Sequence, residues 1–234
     1  MASDYGLRIK QVFGLSEELW ETFRPYAGAQ ALMLNAILLR PKSKGWVRLQ
    51  STDPYQHPLI DPKFFSDEYD LDVMVEGLKI ALQIGQTPPL QKYGAWPITR
   101  KYPGCENYKI YSDQYLRCMA QTLTLHPYHA VGTCKMGPKG DRTAVVDLDL
   151  KVKGVTGLRV VDASVIPNHI SGNTNIPVIA IAEKIADQMR GRRIKPMLPP
   201  MERNFVFKLP NLPYDNITVE DNQTKANSSQ TQMV

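Results

Sequence analysis

Long apolar runs are missing from this sequence. Its most hydrophobic stretches stop well short of the roughly 20 residues that a membrane span requires, so no transmembrane segment is expected. The opening residues MASDYGLRIK lack the charged-then-apolar pattern of a secretory leader, and nothing at this end predicts a signal peptide. Cysteine is scarce, with Cys105, Cys118 and Cys134 beside four histidines. None of their spacings is that of a zinc site, so no metal is expected. Cys105 and Cys118 could form a disulfide, leaving Cys134 free and buried, as would suit an oxidising compartment. Three free thiols fit the sequence equally well.

Charge of one sign is also modest, at a net +5. The densest basic patch, Arg190, Arg192, Arg193 and Lys195, falls where a helix should end, and cations there favour the helix C-terminal dipole. No interleaved aromatics or binding motif accompany it, so no nucleic-acid partner is expected. What the sequence does contain is enough apolar material, 43% of residues against 22% charged, to bury a core in one large or two small domains.

The apolar run ALMLNAILLR at 31–40 reads as a buried strand, PKSKG at 41–45 as a turn, and WVRLQS at 46–51 as the second strand of a hairpin. A Pro-studded loop follows from Pro54 to Pro62. Ser66, with Asp67 and Glu68, then offers an N-cap to a helix running to about Gln83, its apolar face formed by Leu71, Met74, Val75, Leu78 and Leu82. Residues 88–110 read as irregular, and Ser112 as the cap of a second amphipathic helix carrying Leu116, Met119 and Leu123. GLRVVDASVI at 157–166 reads as a buried strand leading through a turn at 167–175 into a helix over about 176–190. Beyond Gly191 come five prolines, then polar residues that cannot bury enough surface to offset their ordering. A disordered tail with Asn-x-Ser/Thr sequons at Asn216, Asn222 and Asn227 is expected; these matter only in a secretory pathway.

Two segments carry the chemistry: PYHAVGTCKMGP at 127–138, and LRVVDASVIPNHISGNTNIPVIAIAEKIAD at 158–187. In order and spacing they resemble the C-terminal signature of the glucose–methanol–choline (GMC) FAD-dependent oxidoreductases. LLRPKSKGWVRLQSTDPYQHPLIDPKFFSD at 38–67 resembles that family's substrate-domain strands, so the likeness covers about residues 30–190. YPGCENY and Gly-Asn-Thr-Asn-x-Pro are most like the insect glucose-dehydrogenase-like members.

Oxidising an alcohol by hydride transfer requires the hydroxyl proton to leave as the hydride departs, and histidine, with an ordinary pKa near about 6.5, suits that task. The resemblance implies that His129 is the base, with Asn173 at the second catalytic position holding the substrate oxygen. It places Asp162 and the small Ala163 beside the cofactor's ribityl and phosphate part, and Thr174, Asn175 and Pro177 at the flavin edge. Ile176 stands where the family usually has a smaller residue. A helix opening near Ile176 supplies unpaired N–H groups that stabilise negative charge on a reduced flavin. His57, His126 and His169 are expected to be structural.

The Gly-x-Gly-x-x-Gly loop that cradles a dinucleotide pyrophosphate is absent. The expected fold is α+β: an antiparallel substrate-domain sheet with helices, the closing strand and helix of an FAD-binding Rossmann-like domain, and the tail. The expected divisions are 1–138 (substrate-binding portion), 139–191 (closing part of the FAD domain) and 192–234 (tail). The implied partners are FAD, an alcohol or sugar substrate, quinone or oxygen as acceptor, and an N-terminal FAD-binding portion outside this chain. The implied parent is secreted. The alternative is a catalytically inactive truncated remnant acting as a binding or secreted protein.

Overall fold

A carboxylate buried at the start of a helix organises the first half of the chain. In the computed structural model, which describes residues 10–11 and 14–192, that helix is α2, Glu68–Gly85; it follows α1 (Glu17–Phe23), β1 (Trp46–Arg48) and β2 (Leu59–Asp61). Asp67 caps α2, its side chain accepting the Tyr69 N–H at 3.0 Å, and Glu68 and Asp70 place negative charge in the first turn where the dipole favours it. Asp70 is only 1% exposed. Both its oxygens accept backbone hydrogen bonds, from the Lys42 and Ser43 N–H groups at 2.8 Å each. The turn at 41–45 is thereby pinned to the helix 27 residues downstream.

Leu71 and Val75 are buried, with Leu78 and Leu82 half-buried in the next turns of α2. Their partner is α4 (Asp113–Thr122), which follows a short helix α3 (Pro88–Gln91). Ser112 caps α4 by accepting the Tyr115 N–H, and Tyr115, Leu116 and Ala120 are its buried residues. Val75, Cys105, Tyr115 and Leu116 form one core cluster. Cys105 and Cys118 are joined by a disulfide with Cα atoms 5.8 Å apart, a 13-residue closure that removes about 3 kcal/mol of unfolded-state entropy in the chain-entropy account. Cys134 is free and half-buried rather than fully buried.

A second core cluster unites Val146, Leu150, Val165 and Ile185. Ile185 lies on α5 (Asn175–Met189), and Val165 on the 3-10 turn Ala163–Val165. Between α4 and the 3-10 turn the chain runs as loops stitched by isolated bridges, Met136 with Val146, Val146 with Val152, and Lys151 with Arg159.

Among the described residues the structure is a mix of helices with one small antiparallel sheet, and it corrects several sequence expectations. The sheet pairs β1 with β2 in the register Trp46–Asp61, Val47–Ile60 and Arg48–Leu59. The partner of 46–48 is thus not 31–40 but the end of the stretch read as a loop. Gly45 permits this entry: a methyl group there would overlap the Asp61 carbonyl oxygen and lie 2.6 Å from Pro62 Cα. Among the described residues the run at 31–40 has no strand neighbour to take its N–H and C=O groups, so it is unpaired, with Leu32, Met33 and Ile37 exposed. It crosses α2, where Ala36 sits opposite Gly77. Residues 157–166 form no strand either; Asp162 diverts the chain by capping the 3-10 turn. The α2 cap is Asp67 rather than Ser66, and α1, capped by Ser16 accepting the Leu19 N–H, went unread. Arg193, Lys195 and the tail with its sequons lie outside the described residues.

No helix among the described residues is long and apolar enough to cross a membrane. Burial pushes the Asp70 carboxyl upward, but the N–H groups of Lys42 and Ser43 outweigh it and hold the acid below its ordinary range. A lowered folded-state pKa contributes stability that is present above the unfolded value of about 3.9 and lost as pH falls through the folded value. Asp70→Ala should cost about 3 kcal/mol in urea unfolding at neutral pH, because two buried donors lose their acceptor. It should also flatten the acid limb of the stability curve.

Candidate functional site

Residues 132–136 and 164–167 run side by side. The Cys134 N–H donates to the Ser164 carbonyl at 3.0 Å and the Met136 N–H to the Val165 carbonyl at 2.8 Å. Gly132 enters this contact with φ +91, a left-handed conformation that favours glycine. The two motif segments, separate in sequence, thus meet through their backbones.

His129 lies three residues before Gly132, half-buried. Its Nδ1 is 3.0 Å from the Thr174 hydroxyl oxygen across 45 residues of sequence. Thr174 is buried, at 6% exposed, and immediately precedes α5. This bond brings the start of α5 to the histidine, with Asn173 the next residue back and exposed to solvent. Asn175 and Ile176 open α5 as exposed residues and Pro177 is half-buried. The first turn of α5 contains no acid, and the Thr174 side chain makes no capping hydrogen bond to it. Its leading N–H groups keep the partial positive charge of a helix N-terminus.

Asp162 is engaged locally: its carboxylate accepts the Ser164 N–H at 2.8 Å and the Ser164 hydroxyl. What it can present to a ligand is backbone, together with the small Ala163.

Two of the other histidines, His126 and His169, make defined local hydrogen bonds. His126 Nδ1 accepts the Tyr128 N–H at 2.9 Å; since an amide only donates, that nitrogen carries the lone pair. This bond steadies Tyr128, whose φ of +62 is unusual for a residue with a side chain. The His126 ring also lies against Phe64, with centroids 6.2 Å apart. His169 Nδ1 lies 3.0 Å from the Leu39 carbonyl and 2.9 Å from that of Ile170. Carbonyls only accept, so this nitrogen carries the proton. His169 thereby joins the turn before α5 to the segment crossing α2, a link reinforced by Arg40 Nε donating to Ser171 Oγ at 2.6 Å. Sequence reading singled out His129 and Asn173, and Thr174 only as a cofactor-edge residue; neither the contact of Thr174 with His129 nor that of His126 with Tyr128 was expected. The spacing of His126 two residues before an exposed tyrosine was the available local signal.

The histidine loop is thus laced to a capped turn and to the opening of α5, and comparison with known proteins gives the class of the chain. The GMC oxidoreductase model matches residues 41–182. Glucose dehydrogenase [FAD, quinone] of Drosophila pseudoobscura pseudoobscura is 41% identical over 156 residues, 67% of this chain and 25% of that protein. Ecdysone oxidase of Bombyx mori is 40% identical over 178 residues, 76% of this chain and 25% of that one. Among solved structures, an FAD-dependent oxidoreductase from Chaetomium thermophilum superposes with a TM-score of 0.56 at 28% identity, covering 65% of this chain and 25% of the other. The chain belongs to the GMC oxidoreductase family. It spans about a quarter of the length of these relatives.

Although the His126 ring keeps an exposed edge, partial desolvation against its neighbours lowers its pKa from the ordinary value, and the neighbouring His129 and His169 rings lower it further. The unfolded chain therefore takes up this proton more readily than the folded one. The associated stability is fully present above about pH 6.5 and is lost as pH falls through the folded value. Between about pH 7 and pH 5.5, the melting temperature of the wild type should fall more steeply than that of His126→Phe, which has no proton to gain at this position. Equal slopes would remove His126 as the titrating group.

Proposed function

We propose that this chain is the C-terminal part of an FAD-dependent oxidoreductase that oxidises a CH–OH group of an alcohol or sugar, with His129 as the base. The observation that carries the reading is the bond between His129 and Thr174. It fixes an imidazole beside the opening of α5, between the two motif segments.

The residues present fit a flavin edge. The first turn of α5 has no acid and no side-chain cap, so its N–H groups are available to an anionic ring. Asn175 and Pro177 would border that edge with Thr174, and the backbone at Asp162 and Ala163 would lie along the ribityl and phosphate part. The bound flavin supplies the hydride acceptor. His129 Nε2, the nitrogen not facing Thr174, takes the substrate hydroxyl proton. Asn173, exposed and one residue from the buried Thr174, donates a hydrogen bond to the substrate oxygen as negative charge gathers on it.

In this reading residues 1–138 belong to the substrate-binding portion and 139–191 close the FAD-binding domain, whose pyrophosphate loop lies outside this chain. The names of the relatives, glucose dehydrogenase [FAD, quinone] and ecdysone oxidase, support oxidation of a CH–OH group with quinone or oxygen as acceptor. The Cys105–Cys118 disulfide supports an oxidising, extracellular setting for the protein.

His129→Ala in the flavin-containing protein should lower kcat by about 10²- to 10⁴-fold, the usual worth of a positioned base, while the flavin absorption band persists. Turnover at the wild-type rate would sink the assignment of His129.

A further inference from the structure

The tautomer of a catalytic histidine decides whether it can act as a base, and here two of the three neighbouring imidazoles have theirs set by backbone partners. His126 faces an N–H and His169 faces two carbonyls. His129 alone faces a hydroxyl, which can donate or accept. We propose that Thr174 Oγ1 accepts the Nδ1–H of His129, holding the ring as the tautomer with a bare Nε2, and that Thr174 is the positioning residue of the base. This rests on the reading of His129 as base and assigns Thr174 a task beyond bordering the cofactor.

Three observations carry the direction of that bond. A threonine immediately before a helix ordinarily accepts an N–H of the first turn through its oxygen. Thr174 does not: its backbone is helical (φ −82, ψ −11) and its side chain makes no capping bond, so its lone pairs remain for another donor. Thr174 is also 6% exposed, which leaves little room for water to replace either partner. Finally, once Nε2 has taken a proton, both ring nitrogens carry hydrogen, and Nδ1–H must have an acceptor or stand desolvated without one. An oxygen that accepts before and after proton uptake requires no rearrangement during the step. A hydroxyl that donated to Nδ1 would leave the proton on Nε2, the nitrogen that must be empty.

The test is nitrogen NMR of the full chain labelled with ¹⁵N-histidine. The His129 signals are identified by their disappearance in His129→Gln. Wild-type His129 at neutral pH should carry its proton on Nδ1. Thr174→Val keeps the shape and removes the oxygen, and should move the ring toward the Nε2–H form; Thr174→Ser restores the oxygen and should restore the wild-type tautomer. In the flavin-containing protein, Thr174→Val should lower kcat about tenfold, the worth of one hydrogen bond, with less effect on KM and with recovery in Thr174→Ser. Wild-type His129 protonated on Nε2 overturns the proposal, even if Thr174→Val fails to fold. An unchanged tautomer or unchanged kcat in Thr174→Val overturns it as well. Failure of the base assignment would show separately, as full turnover in His129→Ala.

Discussion

Two backbone hydrogen bonds, from Cys134 to Ser164 and from Met136 to Val165, join the two motif segments that meet beside His129. Each is worth about 1 kcal/mol net, too little to bring together segments 30 residues apart. The drive is burial of Val146, Leu150, Val165 and Ile185, each contributing about 1.5–3 kcal/mol. The hydrogen bonds decide the register of that packing. A shift by one residue would move Gly132 away from its left-handed turn and carry His129 away from Thr174. Apolar packing therefore supplies stability, and backbone pairing turns it into a defined position for one imidazole.

A second set of contacts ties this site to the helical layer. Asp70 holds the 41–45 turn against α2, the segment before it crosses the same helix, and its Leu39 carbonyl accepts a hydrogen bond from the His169 ring N–H. His169 lies four residues before Asn173. The surface ion pairs between α2 and α4, such as Arg117 with Glu68 and Lys79 with Asp113, add little beside this because they are largely hydrated. A cleft of about 330 Å³ lined by Tyr69, Asp72, Glu76 and Arg117 sits at that helical interface and contains none of the motif residues. The histidine chemistry is therefore assembled away from this cleft.

What was legible in the sequence was local. Ser112 and the α5 span could be read because a capping hydroxyl and a helical period are set within a few residues. The strands could not, because a strand is defined by its neighbour: 31–40 has the apolar composition of one and finds no partner, whereas Leu59–Asp61 hides beside two prolines and pairs. Residues 157–166 looked like a strand until Asp162 turned its carboxylate onto Ser164. The motif fixed which residues belong together, and His129 with Asn173 was read from it. The bond from His129 to Thr174 spans 45 residues, so no local pattern could have shown it.

The apolar pattern of α5 bears on how such a site would work. Ile181 and Ile185 turn toward the described core, while Ile176 and Ile179 are 72% and 51% exposed. A helix with apolar residues on two faces is patterned for cover on two sides, and the described residues supply one. The uncovered face begins at the first turn, where the N–H groups carry their partial charge and where Asn173 opens to solvent. In water that charge is screened; its influence on a nearby anion grows as water is excluded. Ile176 adds apolar surface beside those N–H groups. Covering this face would therefore do more than bury isoleucine: it would strengthen the interactions of the α5 N-terminus while leaving the His129–Thr174 bond, already buried at Thr174, unchanged.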